Sequence, residues 1–337
     1  MLEAGEGAVG WQDGGMVRAP VQVAELVERA RAGQARAVAK LISLVEDAHP
    51  QLREIAAALT PHTGRARIIG LTGAPGVGKS TSTSMLLTAL RKAGSRVGVL
   101  AIDPTSPFSG GALLGDRIRM TEHTGDPGVF IRSMATRGHL GGLAWATPQA
   151  VRVLDAAGFD VVLIETVGVG QSEVDIVGLA DTTVVLLAPG MGDGVQAAKA
   201  GVLEIADVFV VNKADRDGAD TLVRDLKQLI SFVRRENQGE RWRQPVLRTV
   251  ATQGEGAEDL VNALTAHHDW LIAHGELARR RVARAASEVE AIAVRRVRSE
   301  LADLPGDGLS ALADQVVNRV LDPYAAADVL LESLRGR

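Results

Sequence analysis

Apolar positions fall into two rhythms along this chain. In residues 21–59 they recur three and four apart, at Val23, Leu26, Val27 and Ala30, then at Val38, Leu41, Ile42 and Val45. That spacing predicts two or three amphipathic helices. From residue 65 the rhythm shortens. β-branched runs at 66–71, 96–102, 129–132, 160–165, 182–188, 208–212 and 245–250 predict strands. Between them, segments 80–93, 147–157, 195–205, 220–235 and 257–273 carry helical spacing. Strands separated by helix-length segments predict βαβ units, an α/β fold whose mainly parallel sheet is flanked by helices. Beyond His274 the strand rhythm stops. Segments 276–300 and 309–334 are charged, Ala-rich and helical in spacing, interrupted at Asp322-Pro323. The expected organisation is a loose tail at 1–16, a helical segment at 17–62, the α/β domain at 63–273, and a helical extension at 274–337. The extension is suited to capping the sheet or to dimerisation.

Composition narrows the chemistry. Hydrophobic residues make up 46% of the 337 residues but aromatics only 3%, so Leu, Val, Ile and Ala must build the core. A formal net charge of -4 and scarce aromatics argue against nucleic acid as a partner. With no cysteine there is no disulfide, thiolate catalysis or Cys-based metal site, which fits a cytoplasmic protein. No apolar run is long enough to span a bilayer, so no membrane association is expected. The first sixteen residues lack the basic and apolar regions of a secretory signal. None of the seven histidines sits at metal-site spacing, and His267-His268 reads as a solvated pair on a polar helix face.

The strongest chemical signal is Gly73-Ala74-Pro75-Gly76-Val77-Gly78-Lys79-Ser80, followed by Thr81. It matches G-x-x-x-x-G-K-[ST] in full, with a predicted strand before it and a predicted helix after it. The glycines let consecutive N–H groups turn toward phosphate oxygens, and the helix presents its positive end to the same anion. Lys79 can reach the β- and γ-phosphates, and the Ser80 hydroxyl can ligate Mg²⁺.

Further motifs lie at other predicted strand ends, where such sheets bind ligands. Asn212-Lys213-Ala214-Asp215 follows the 208–212 strand and resembles the N-K-x-D motif of GTPases. The resemblance implies that Asp215 accepts hydrogen bonds from guanine N1–H and the exocyclic amine, while Lys213 packs along the base and Asn212 ties strands together. Adenine lacks that donor pair and would leave the carboxylate unpaired. Val250-Ala251-Thr252 stands where GTPases carry S-A-x; the Ala251 N–H would reach guanine O6, and Val replaces the usual Ser. Between these motifs, Glu165 ends a buried strand and Gly168 follows three residues later, the Walker B and switch II position. Gly168 is suited to a γ-phosphate contact. Glu165, where most GTPases have Asp, can act on Mg²⁺ through water or orient the attacking water. The segment 103–120 reads as switch I, with Asp103 and Asp116 placed for metal or phosphate work. The glycine-rich loop 189–194, leading to Lys199, reads as a third mobile loop.

Together, GAPGVGKST, VLAIDPTSPFSGGALLGDRIRM, DVVLIETVGVGQSE, LLAPGMGDGVQAAKAG and EIADVFVVNKAD resemble the MeaB/ArgK/MMAA family, the G-protein chaperones of adenosylcobalamin-dependent methylmalonyl-CoA mutase. The resemblance runs from about Val21 to the end. It implies a homodimeric GTPase with domain 63–273 binding GTP or GDP with Mg²⁺, and GTP-gated loading and protection of cobalamin on the mutase or a related B12-dependent acyl-CoA mutase. It places Lys79, Glu165, Gly168, Gln171 and Lys199 in catalysis and switching, and Ser80, Asp103, Asp116 and Glu165 around the metal. No arginine finger is assigned, so slow intrinsic hydrolysis is expected. The rival readings are a kinase or ATPase of an arginine/ornithine transport system, which NKAD disfavours, and a nickel-insertion GTPase, which the lack of Cys and of a His cluster disfavours. A helical scaffold with a vestigial P-loop is disfavoured by intact Lys79, Ser80 and Asp215.

Overall fold

The computed structural model describes residues 21–103, 121–123, 125–135, 146–166, 172–190, 203–236, 241–302 and 308–335. Seven strands form one sheet: β1 (Arg67–Thr72), β2 (Val97–Asp103), β3 (Val129–Ala135), β4 (Val161–Thr166), β5 (Thr182–Leu187), β6 (Val208–Asn212) and β7 (Val246–Thr249). Their order is β3-β2-β4-β1-β5-β6-β7, and every pairing is parallel. All residues of β4, β5 and β6 are buried, as a sheet covered on both faces requires.

Alternate residues of each strand feed opposite cores. On one face Ile68, Leu100, Ile102, Val162 and Ile164 pack with helices α1 (Val23–Arg31), α2 (Ala35–Glu46), α3 (Leu52–Leu59), α5 (Thr147–Ala156) and α6 (Ser172–Leu179). The N-terminal helices therefore share a hydrophobic core with the sheet. On the other face Ile69, Leu71, Val99, Leu163, Val184 and Val210 pack with α4 (Lys79–Lys92) and α8 (Ala257–Ala273). A third cluster joins Val185, Leu187, Phe209 and Val211 to α7 (Ala219–Glu236).

The C-terminal part is helical: α9 (Glu276–Ala302), α10 (Gly308–Val317) and α11 (Pro323–Arg335). The first turns of α9 are tied to the sheet through arginines. Arg281 and Arg284 converge on Asp181, which is 1% exposed, at 3.0 and 2.7 Å, and Arg280 pairs with Asp207 at 2.9 Å. Arg284 also donates to the Leu179 carbonyl, and Glu288 accepts from Gln149 and Arg152 on α5.

The expected solvated histidine pair is corrected by this packing. His267 is 0% exposed: its Nδ1 lies 2.9 Å from Thr182 Oγ1, its Nε2 3.3 Å from Asp207, and Trp242 and Trp270 flank its ring. His268 is half-buried, and its pKa is lowered by burial and by the charge of Arg67. The sequence pattern around two adjacent histidines carries no sign of this, because the partners come from β5, the start of β6 and the 241–244 segment.

Candidate nucleotide site

The site is built at the carboxyl end of β1, the strand that lies between β4 and β5. There the chain leaves the sheet, turns through residues 73–78 and enters α4. Gly73, Gly76 and Gly78 have φ of 143°, 82° and 94°. Space as well as conformation demands glycine at two of them. A Cβ on Gly73 would collide with the Leu186 backbone carbonyl, and one on Gly78 would sit 2.5 Å from Asn212 Nδ2. Gly76 has open space around it, so only its φ favours glycine.

Lys79 opens α4 and is 8% exposed; its ammonium donates to the Gly73 carbonyl at 2.7 Å and the Ala74 carbonyl at 3.1 Å. The ammonium is thus held within the loop whose N–H groups would cradle phosphate. Beside it, Ser80 Oγ donates to Glu165 Oε1 at 2.6 Å, and Glu165 is 3% exposed. Sheet register brings this pair together, since Glu165 stands level with Leu71 on β1. A hydroxyl and a carboxylate within hydrogen-bond reach at a phosphate loop are hard oxygen donors, and they fit Mg²⁺. Thr72 and Thr166, at the ends of the same two strands, lie 3.4 Å apart through their hydroxyls.

The 212–215 motif is fastened to the 73–78 turn. Asn212, at the end of β6 and buried, donates through Nδ2 to the Val77 carbonyl at 2.8 Å. Lys213, with the left-handed φ of 57° that only a few non-glycine residues adopt, donates to the Gly76 carbonyl at 2.6 Å. On its other side, Asn212 Oδ1 accepts from Thr249 Oγ1 and from the Ala251 N–H, both at 3.1 Å. The Ala251 N–H expected at guanine O6 is therefore engaged in bracing Asn212. Val250 is buried and bridges antiparallel to Glu255, and the hydroxyl that braces Asn212 comes from Thr249. Thr249 escaped the sequence reading because it precedes the motif and makes sense only through its cross-strand neighbour. Asp215 and Thr252 are exposed at the mouth of this arrangement.

Asp103 ends β2, one residue past the pairing of Ile102 with Thr166, and so reaches the same edge of the sheet as Glu165. Asp116, Gly168, Gln171 and Lys199 lie outside the described residues. Downstream of the 103–120 segment the chain is anchored on α4. His123 Nε2 lies 3.3 Å from Thr88 Oγ1, and Arg91 grips Asp126 with two bonds of 2.8 Å. Among the described residues no three His, Cys, Asp or Glu side chains form a metal-binding group, and no helix is long and apolar enough to cross a membrane.

Comparison with known proteins agrees with this geometry. The family model described as methylmalonyl Co-A mutase-associated GTPase MeaB matches residues 38–305. A Pyrococcus horikoshii protein named "Putative GTPase" is 49% identical over 317 residues, spanning 93% of this chain and 98% of the relative. The mouse "Methylmalonic aciduria type A homolog, mitochondrial" is 34% identical over 327 residues, spanning 90% of this chain and 78% of its own. Among solved structures, one titled as an LAO/AO transport system kinase superposes with a TM-score of 0.69 at 27% identity, covering 93% of this chain and 97% of that one.

Proposed function

The chain belongs to the family of MeaB, the methylmalonyl Co-A mutase-associated GTPases, and is a GTPase; from this premise we propose that it works as a Mg²⁺-dependent, GTP-gated chaperone of methylmalonyl-CoA mutase or a related B12-dependent acyl-CoA mutase. In this reading it gates the loading and protection of adenosylcobalamin on its client. The observation that carries the nucleotide half is the clamp of Asn212 and Lys213 onto the Val77 and Gly76 carbonyls. It ties together the two loops that, in this reading, receive the base and the phosphates. The family's description, and the name of the mouse relative, support the client.

The mechanism follows from what the residues hold. Backbone N–H groups of the 73–80 loop and the amino end of α4 receive the phosphates, and the Lys79 ammonium exchanges its bonds to the Gly73 and Ala74 carbonyls for the β- and γ-phosphate oxygens. Ser80 and Glu165 would hold Mg²⁺, with Asp103 and Asp116 proposed as further ligands, and the bound ion would supply positive charge beside the phosphates. Asp215 reads the guanine edge. Gly168, Gln171 and Lys199 carry the switches that sense the γ-phosphate. Domain 63–273 performs these tasks, segment 17–62 buttresses one face of its sheet, and extension 274–337 makes a homodimer in the cytoplasm.

The test is GTP and ATP hydrolysis by the pure protein, with and without the mutase. GTP-specific turnover that rises with the mutase and disappears with EDTA is expected. ATP turnover equal to that of GTP would remove the role given to Asp215. GTP turnover indifferent to the mutase would remove the client.

A further inference from the structure

At the amino ends of β1, β2 and β4, the opposite end of the sheet from the candidate nucleotide loop, lies a cavity of about 640 Å³. β1 separates the two ends by six residues, roughly 20 Å at about 3.3 Å per residue. Four arginines and a histidine from separate parts of the chain line it: Arg31 at the end of α1, His62, Arg65 and Arg67 around the start of β1, and Arg96 just before β2.

The carboxylates in the same wall are already committed to backbone. Asp155 accepts from the N–H groups of Gly64, Arg65 and Ala66 at 2.5 to 3.2 Å, and Asp160 accepts from the Arg96 N–H at 2.7 Å. Arg31 pairs with Glu28 at 2.7 Å, and Arg96 spends its guanidinium on the Ala157 and Gly158 carbonyls and over the Phe159 ring. Arg65 and Arg67 differ: neither guanidinium takes part in a hydrogen bond or ion pair with a described residue. They stand two residues apart, either side of the bend at Ala66 that leads into β1, and both line the cavity.

We propose that this cavity is a second ligand site, distinct from the nucleotide site, which takes a small, multiply charged, phosphate-bearing anion held by Arg65 and Arg67. Its volume falls in the range of small-molecule sites. Two planar guanidinium forks match the oxygens of phosphate groups better than those of a single carboxylate. The rest of the lining is mixed: Leu90, Phe159, Val161 and Val261 give it apolar walls, and Ser95 and Thr265 add hydroxyls.

The experiment uses the full chain saturated with GDP in excess Mg²⁺, so that the first phosphate site is filled. Inorganic pyrophosphate is titrated calorimetrically at about 0.15 M ionic strength, where loose surface attraction is screened. One further saturable equivalent is expected, weakened at least tenfold in Arg65→Ala/Arg67→Ala, with GDP affinity unchanged. Arg65→Ala alone alters an exposed side chain and leaves the fold intact, so it should weaken binding severalfold even if the double variant is unstable. Absence of a second equivalent, or binding undiminished in the folded Arg65→Ala protein, would overturn the site. Citrate binding as tightly as pyrophosphate would overturn its assignment to phosphate.

Discussion

At the residue scale, glycines of one motif carry different burdens. A side chain on Gly73 needs both a strained φ and room that the Leu186 carbonyl occupies, and backbone cannot step aside cheaply. Gly76 has the strained φ and free space. Gly73→Ala should therefore cost about 3 kcal/mol or more and abolish GDP binding, while Gly76→Ala should cost about 1 kcal/mol. Chemical denaturation and fluorescent-GDP titration of the two variants would check the contrast; equal effects would contradict it. Asp215 is a different case, since it is exposed and makes no hydrogen bond or ion pair with a described residue. Asp215→Ala should leave stability within about 0.5 kcal/mol but remove two charge-assisted hydrogen bonds to guanine. A loss of a hundredfold or more in GDP affinity is the expected reading at about 1.5 to 3 kcal/mol per bond. Retained affinity would move guanine recognition elsewhere.

At the element scale, α9 is held on the sheet through buried carboxylates. Burial alone would raise the Asp181 carboxyl, but the hydrogen bond from Arg281, the charges of Arg284 and Arg281, and the Ile68 N–H outweigh it and hold the pKa below the ordinary value. Asp207 is lowered likewise, burial being outweighed by His267 and Arg280. A depressed carboxylate stabilises the fold above its unfolded pKa of about 3.9, and that stability is lost as pH falls through the lower folded value. Melting temperature should thus drop below about pH 4. Asp181→Asn should cost about 3 kcal/mol near neutrality by stranding Arg281 and Arg284, and should flatten the acid slope; thermal melts from pH 3 to 7 read both. Strand limits and the 257–273 helix were legible in the sequence because β-branched runs and apolar spacing are local signals. The clamp was not, since Arg280, Arg281 and Arg284 look like any solvated helix face until Asp181 and Asp207 are brought under them. His267 was misread for the same reason. Phosphate-loop residues were legible because their motif is contiguous, whereas Thr249 depends on a neighbouring strand.

At the scale of the whole molecule, exposed apolar surface is unevenly shared. Of the large hydrophobic residues that stand exposed among the described residues, all but Val177, Phe232 and Ile272 lie beyond residue 280. Val289 is 68% exposed and Ile292 55%, close together on α9, and Val317, Val320 and Tyr324 stand exposed on α10, the turn after it and the start of α11. A helix of 27 residues is about 40 Å long at 1.5 Å per residue, enough to contribute half of an interface of about 1,600 Å². Such a surface is costly to leave in water, and a second copy of the same helices supplies a matching one by two-fold symmetry. The proposed homodimer therefore predicts that the chain runs at twice its own mass in light scattering, and that Val289→Glu/Ile292→Glu brings it to one. The nucleotide site lies at the far end of the sheet from the arginines of α9, so the dissociated variant should keep its GDP affinity. A wild-type chain that runs at its single mass, unchanged by Val289→Glu/Ile292→Glu, would overturn the proposed homodimer.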